Sequence, residues 1–275
     1  MSATLLSKHD LAPFVSMTAA MFALSLLDAG IKAASVDLQT WQIVVMRYGF
    51  GWLFATSYFL YLARRTSLKA RLARLSSRQL LATSLLRSLF VVLTASCFFF
   101  ALSQLPLARV VSIVFSAPLF MVLFSRLILG DALFQPLSGA LIPMASALLA
   151  SVFYALSIVL SRKHTAHTQP EEMVMLQSGF AVVMALPFGF LPLPQMNLVI
   201  PDLQILLLFG GIGFLGTAGH LMIVWALKRE SASRLGPIEY TNLIWAVVFG
   251  FLFFQELPSL RTLAGAVLVV LACLV

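Results

Sequence analysis

Nine apolar runs follow one another along the chain, separated by short polar breaks. They cover residues 11–35, 41–63, 80–103, 107–129, 138–161, 173–193, 203–227, 234–254 and 258–275. The hydrocarbon layer of a bilayer takes roughly 20 helical residues, so each run predicts a transmembrane helix. One stretch breaks the rhythm. From Ala132 to Ser161 the chain is apolar or small almost throughout for 30 residues, too long for one comfortable crossing and too short for two with a turn.

Composition sharpens the class. Of 275 residues, 61% are hydrophobic and 10% charged, with a mean hydropathy of +1.00. A soluble domain carries about 25% charged residues, so the chain reads as an all-α polytopic membrane protein whose first partner is the lipid bilayer. The net charge of +8 raises nucleic acid as a partner, but the positions of the charges argue against it. Arg64, Arg65, Lys69, Arg71, Arg74 and Arg78 share one short connection between apolar runs, as the Lys/Arg bias of cytoplasmic loops requires. The first run follows Lys8 and Asp10 without a small-residue cleavage site, which predicts a retained span. Cys97 and Cys273 both fall inside apolar runs and suggest neither a disulfide framework nor a metal site.

The two halves repeat one another. "FALSQLPLAR" (Phe100–Arg109) lies over "WALKRESASR" (Trp225–Arg234), Phe124 over Phe249, and Asp131 over Glu256. "FALS" (Phe22–Ser25) lies over "YALS" (Tyr154–Ser157), and "VVMRYGF" (Val44–Phe50) over "VMLQSGF" (Val174–Phe180), in the same order. After Glu256 the second unit closes with a further span, whereas after Asp131 the chain passes straight to the first span of the second unit. The expected plan is therefore ten spans in two inverted five-helix repeats. Nine spans are present, and the fifth is missing near Asp131–Gln135. Residues 1–131 form the first repeat (spans 1–4), and residues 132–275 the second (spans 6–10).

Charge separates the two counts. With a cytoplasmic amino terminus and ten spans, Lys8, the six basic residues of 64–78, Arg126, Arg162, Lys163, Lys228, Arg229 and Arg234 all face inward, against Lys32, Arg109 and Arg261 outside. With nine spans everything after Asp131 inverts and the bias nearly vanishes. Loss of about one span of sequence, with continuous numbering, fits better than a biological deletion, and predicts a break in the chain near Asp131–Gln135.

These features resemble the drug/metabolite transporter superfamily, the ten-span EamA-type transporters. The likeness rests on the inverted repeat, on Ala101-Leu102 and Ala226-Leu227 near the ends of the third spans, and on a proline-containing fourth span closing in Gly130-Asp131. The second unit departs from it, with Leu243 in place of the proline and Gln255-Glu256 in place of Gly-Glu. Within the superfamily the chain looks most like bacterial YddG-type exporters of aromatic amino acids and drugs. The resemblance implies export of small organic metabolites, amino acids (aromatic or other apolar) and related toxic compounds among them, by alternating access across a bacterial inner membrane. Other metabolite or multidrug transport, proton-coupled antiport included, stays open.

"GIGFLG" (Gly211–Gly216) satisfies the dinucleotide fingerprint, but that motif needs a strand before it and a turn for its glycines. Here the glycines sit within one apolar run, which predicts close helix packing. Polar residues inside spans are costly unless they face the bundle interior, and they supply the candidate substrate contacts: Arg47, Tyr154, Gln177, His220, Glu239 and Asn242. Asp28 and Lys32, four apart on one helix face, are placed to pair with each other or to meet substrate. In the paired case Lys32 holds Asp28 ionised, which predicts flux without obligatory proton exchange. Arg87 is expected to snorkel to the cytoplasmic surface. Ser112 and Ser116 share a face of the fourth span. Of the four histidines only His220 lies in a span, which disfavours an enzyme, and the absence of any sizeable loop disfavours a receptor. No cofactor, metal or obligatory protein partner is implied.

Overall fold

The computed structural model describes residues 11–65, 71, 75, 78–115, 141–165, 169–187, 199–230 and 232–257. Asp131–Gln135, where a break in the chain is expected, lies outside them, as do Cys273, Ser116 and the last apolar run. The described elements are α1 (Ala12–Ala34), α2 (Thr40–Arg64), α3 (Arg78–Gln104), α4 (Leu107–Phe115), α5 (Leu141–Thr165), α6 (Pro170–Ala185), α7 (Leu203–Leu227), α8 (Ala232–Glu239) and α9 (Thr241–Phe254). No strand occurs among the described residues. Among the described residues, five stretches are long and apolar enough to cross a membrane: Ala12–Ala34, Thr40–Arg64, Leu80–Gln104, Leu203–Leu227 and Pro237–Phe254.

Local chemistry sets several helix starts. Pro13 and Pro170 occupy the first positions of α1 and α6, where a missing N–H costs nothing. Gln169 and Glu172 close a capping box on α6. Asp202 caps α7 by accepting from the Ile205 N–H at 2.8 Å, an interaction of about 1 kcal/mol. The run expected as one span over 234–254 keeps a membrane-length stretch, Pro237–Phe254, but is interrupted at Tyr240. Pro237 sits inside α8, removes a donor and strains the turn before it; the helix ends at Glu239 and restarts at Thr241, whose Oγ1 donates to the Ile238 carbonyl at 2.7 Å.

Helix directions follow from cross-helix contacts. Ser146 Oγ donates to the Cys97 carbonyl at 2.7 Å, and the rings of Phe90 and Phe153 lie 6.2 Å apart. Seven residues back along α3 match seven residues forward along α5, so the two are antiparallel. Because α4 begins just after α3 ends, α4 and α5 leave from the same end of the bundle, with residues 116–140 between them. Lys32 meets Glu256 at that end, and Gln42 Nε2 donates to the Val199 carbonyl there at 2.8 Å. At the opposite end Arg71 pairs with Glu171 at 2.7 Å, and Lys228 donates to Gln169 Oε1 at 3.2 Å.

The interhelix packing runs mainly between the halves. α1 packs on α7 and α3 on α5; α2 packs on α7 and α3 on α6; α1 packs on α9 and α4 on α5; α2 packs on α6 and α4 on α9. The glycines of "GIGFLG" lie within α7, as expected. At Gly213 a Cβ would stand 2.5 Å from the Phe50 Cβ and 2.9 Å from the Gly51 nitrogen, so hydrogen alone lets α2 and α7 cross in contact.

Candidate functional site

The middle of the bundle holds an unusual number of buried polar groups. Asp28 on α1 is 9% exposed and Arg47 on α2 is 6% exposed. The two helices are bridged by α7, where Gly216 makes the approach possible: a Cβ there would meet Leu27 Cδ1 at 2.9 Å and Arg47 Nη2 at 3.2 Å. The guanidinium of Arg47 therefore crosses the bare face of α7 toward α1. Its Cζ lies 4.1 Å from the Tyr48 ring centroid, within cation–π reach.

From this position Arg47 acts electrostatically on two other groups, Asp28 and His220. His220 lies one turn beyond Gly216 on α7, and its Nδ1 is 2.7 Å from the Gly216 carbonyl oxygen. Arg87 also bears on His220. On the other side, Tyr154 of α5 feels the charges of both Glu239 and Asp28. By these influences the groups fall into two sets, Arg47 and Arg87 with His220, and Asp28 and Glu239 with Tyr154. Four of the six sequence-derived candidates, Arg47, Tyr154, His220 and Glu239, fall in this neighbourhood.

The other two have structural partners. Asn242 is tied to α1, with Ser25 Oγ donating to its side-chain oxygen and lying 3.1 Å from its backbone carbonyl. Ser25 is one turn from Asp28, so this link borders the site. Gln177 is buried at 7% exposure on α6, and its carbonyl accepts from Ser88 at 3.3 Å. Near the Ser25–Asn242 link, Phe22, Trp245 and Phe249 form an aromatic group, with Phe22 edge-on to Trp245 at 4.9 Å.

Two expectations are corrected. Lys32 does not pair with Asp28: its Nζ sits 2.8 Å from Glu256 Oε1 and donates to the Leu105 carbonyl at 2.6 Å. The side chain reaches to the end of the bundle, where a carboxylate and a free carbonyl meet, and leaves Asp28 to Arg47. Arg87 does not snorkel: it is 3% exposed and donates to the Met173 carbonyl at 2.7 Å, because α6 packs over it before it can reach the surface. The part of Asp28 within the site was legible only as one of two options, and Glu256 as its competitor for Lys32 was not foreseen; the repeat that aligns Glu256 with Asp131 marked the position but gave no partner.

Residues 141–275 match the EamA-like transporter family. Over 276 residues the chain is 29% identical to the pseudopaline exporter CntI of Pseudomonas aeruginosa, with 93% of this chain and 92% of that one covered. It is 22% identical over 261 residues to an S-adenosylmethionine uptake transporter of Rickettsia conorii, covering 87% of this chain and 83% of that one. A solved crystal structure superposes with a TM-score of 0.62 at 16% identity, covering 94% of this chain and 95% of the other; at that identity the likeness concerns the fold alone.

Proposed function

For a membrane transporter that belongs, through residues 141–275, to the EamA-like family of the drug/metabolite transporter superfamily, we propose the export of small organic metabolites by alternating access between two inverted units. Amino acids with aromatic or other apolar side chains are the substrates put forward first. The observation that carries this reading is the burial of Asp28 and Arg47 on two membrane-length helices, with His220 hydrogen-bonded one turn from Gly216 on a third. Such groups are costly in lipid unless they face a pathway or one another. The aromatic group of Phe22, Trp245 and Phe249 supplies an apolar wall nearby.

The inverted plan is supported by packing. Matching α1, α2, α3 and α4 with α5, α6, α7 and α8–α9, an exchange of the two units turns each pair of packed helices into another pair from the same set: α1–α7 becomes α5–α3, α2–α7 becomes α6–α3, and α1–α9 becomes α5–α4. The common start of α4 and α5 agrees with the orientation that ten spans would require of the second unit. The relatives support a missing span as well. The 276 residues aligned with the pseudopaline exporter take up 93% of this 275-residue chain, so about 20 aligned positions, one span's worth, have no counterpart in it. Binding at the interface of inverted repeats is a common carrier plan. The amino terminus faces the cytoplasm of a bacterial cell and the carrier lies in its inner membrane.

Proton-coupled antiport is the second reading. The expectation of uncoupled flux rested in part on Lys32 holding Asp28, and Lys32 is engaged by Glu256 instead. The test of the carrier reading is flux of radiolabelled amino acids from proteoliposomes holding the full chain. Saturable flux lost in Arg47→Ala, with protein incorporation unchanged, supports the reading; flux no faster than from empty liposomes across a broad metabolite panel would overturn it.

A further inference from the structure

We propose that Asp28 and Arg47 together form a receptor for a dipolar head group, with Arg47 taking a carboxylate and Asp28 an ammonium of the same ligand. This rests on the carrier reading of the site and adds what the site selects. Asp28 enters here as a substrate residue in its own right.

Both charges are buried, at 9% and 6% exposure, and each lies within electrostatic reach of the other. Yet they form no ion pair, and among the described residues no hydrogen bond reaches either side chain's charged end. Their polar atoms are not sealed off: the enclosed groups without a partner include Trp41 Nε1 and Thr56 Oγ1, but no atom of Asp28 or Arg47. A carboxyl group and a guanidinium held in low dielectric and left unjoined are unfavourable unless something completes them. A ligand carrying both charges completes both at once.

The geometry assigns the ends. The Arg47 Cζ lies 4.1 Å from the Tyr48 ring centroid, and a guanidinium is the group that binds a carboxylate bidentately. Gly216 gives that group its passage across α7. A simple amine leaves Arg47 bare; a simple acid leaves Asp28 bare. Leaving a buried charged partner unmatched costs at least about tenfold in affinity.

The experiment measures binding to the purified full chain in detergent by thermal stabilisation, first with the standard amino acids as probes. The best-binding amino acid is then compared with its amide, which lacks the carboxylate, and its des-amino acid, which lacks the ammonium. The expected result is at least about tenfold weaker binding of both analogues. Arg47→Gln should abolish the preference for acid over amide, and Asp28→Asn the preference for amino acid over des-amino acid, each leaving the other preference in place. Equal binding of all three ligands to the wild-type protein overturns the inference, as does unchanged selectivity in both variants. Should either variant fail to fold, judged by size exclusion, the wild-type analogue series decides alone. If no amino acid binds while another class of metabolite is carried across proteoliposome membranes, the head-group inference falls and the carrier reading stands.

Discussion

Lys32 Nζ stands 2.8 Å from Glu256 Oε1, joining the last turn of α1 to the residue two beyond α9. The pair is the centre of a larger clamp. Lys32 also donates to the Leu105 carbonyl at 2.6 Å and lies 5.4 Å from the Phe254 ring centroid, while the second oxygen of Glu256 accepts from the Leu107 N–H at 3.0 Å. Gln255, with φ of 55°, turns the chain so that Glu256 folds back, and Gly250 leaves room for its carboxylate, 3.6 Å from where a Cβ would be. Four helix ends thus converge on one carboxylate, about 6 Å beyond Asp28 along α1 at 1.5 Å per residue.

Glu256→Gln should loosen this end of the bundle and leave the Lys32 ammonium without its counter-charge. We expect thermal stability in detergent to drop, Lys32→Met to do the same, and the exchanged pair Lys32→Glu with Glu256→Lys to recover part of the loss. Additive losses in the double variant would show that the two residues act independently.

Gly213 and Gly211 differ in surroundings although they are two apart on α7. Gly213→Ala forces a Cβ against the Phe50 backbone and should cost about 1–3 kcal/mol by overpacking. Gly211→Ala meets nothing within 4 Å and should be neutral or stabilise by up to about 1 kcal/mol through helix propensity. Thermal unfolding of the two variants side by side is the measurement; equal effects would contradict the close α2–α7 crossing.

Topology can be read with fusions. A reporter placed after Lys163 or after Arg229 should be cytoplasmic, and one near Asn197 external. An external signal from the Lys163 fusion in the complete gene product would reverse the orientation of the second unit.

Coupling separates the two transport readings. In liposomes with equal pH on both sides, substrate-gradient-driven flux is expected if protons are not obligatory partners. Strict dependence on an imposed pH gradient, removed by Glu239→Gln or His220→Ala, would establish antiport instead.

Sequence by itself determined where helices form, because a bilayer demands runs of apolar residues of fixed length and punishes every interruption. α1, α2, α3 and α7 match their runs to within two residues at each end. It also singled out polar residues within the apolar runs, since polarity is conspicuous against hydrocarbon. What it could not determine is which of them meet. In a membrane chain, faces toward lipid and toward neighbouring helices are equally apolar, so little in the pattern tells one helix which other it will touch. Spacing of four suggested Lys32 for Asp28, an interaction within one helix; the packed bundle offered Lys32 a carboxylate and a carbonyl at the converging helix ends. Arg87 was covered by α6, Asn242 was engaged by Ser25, and Pro237 interrupted a span in which only apolar length was legible. Tertiary structure alone brought Arg47 across Gly216 into reach of Asp28, because that approach depends on the missing side chain of a third helix.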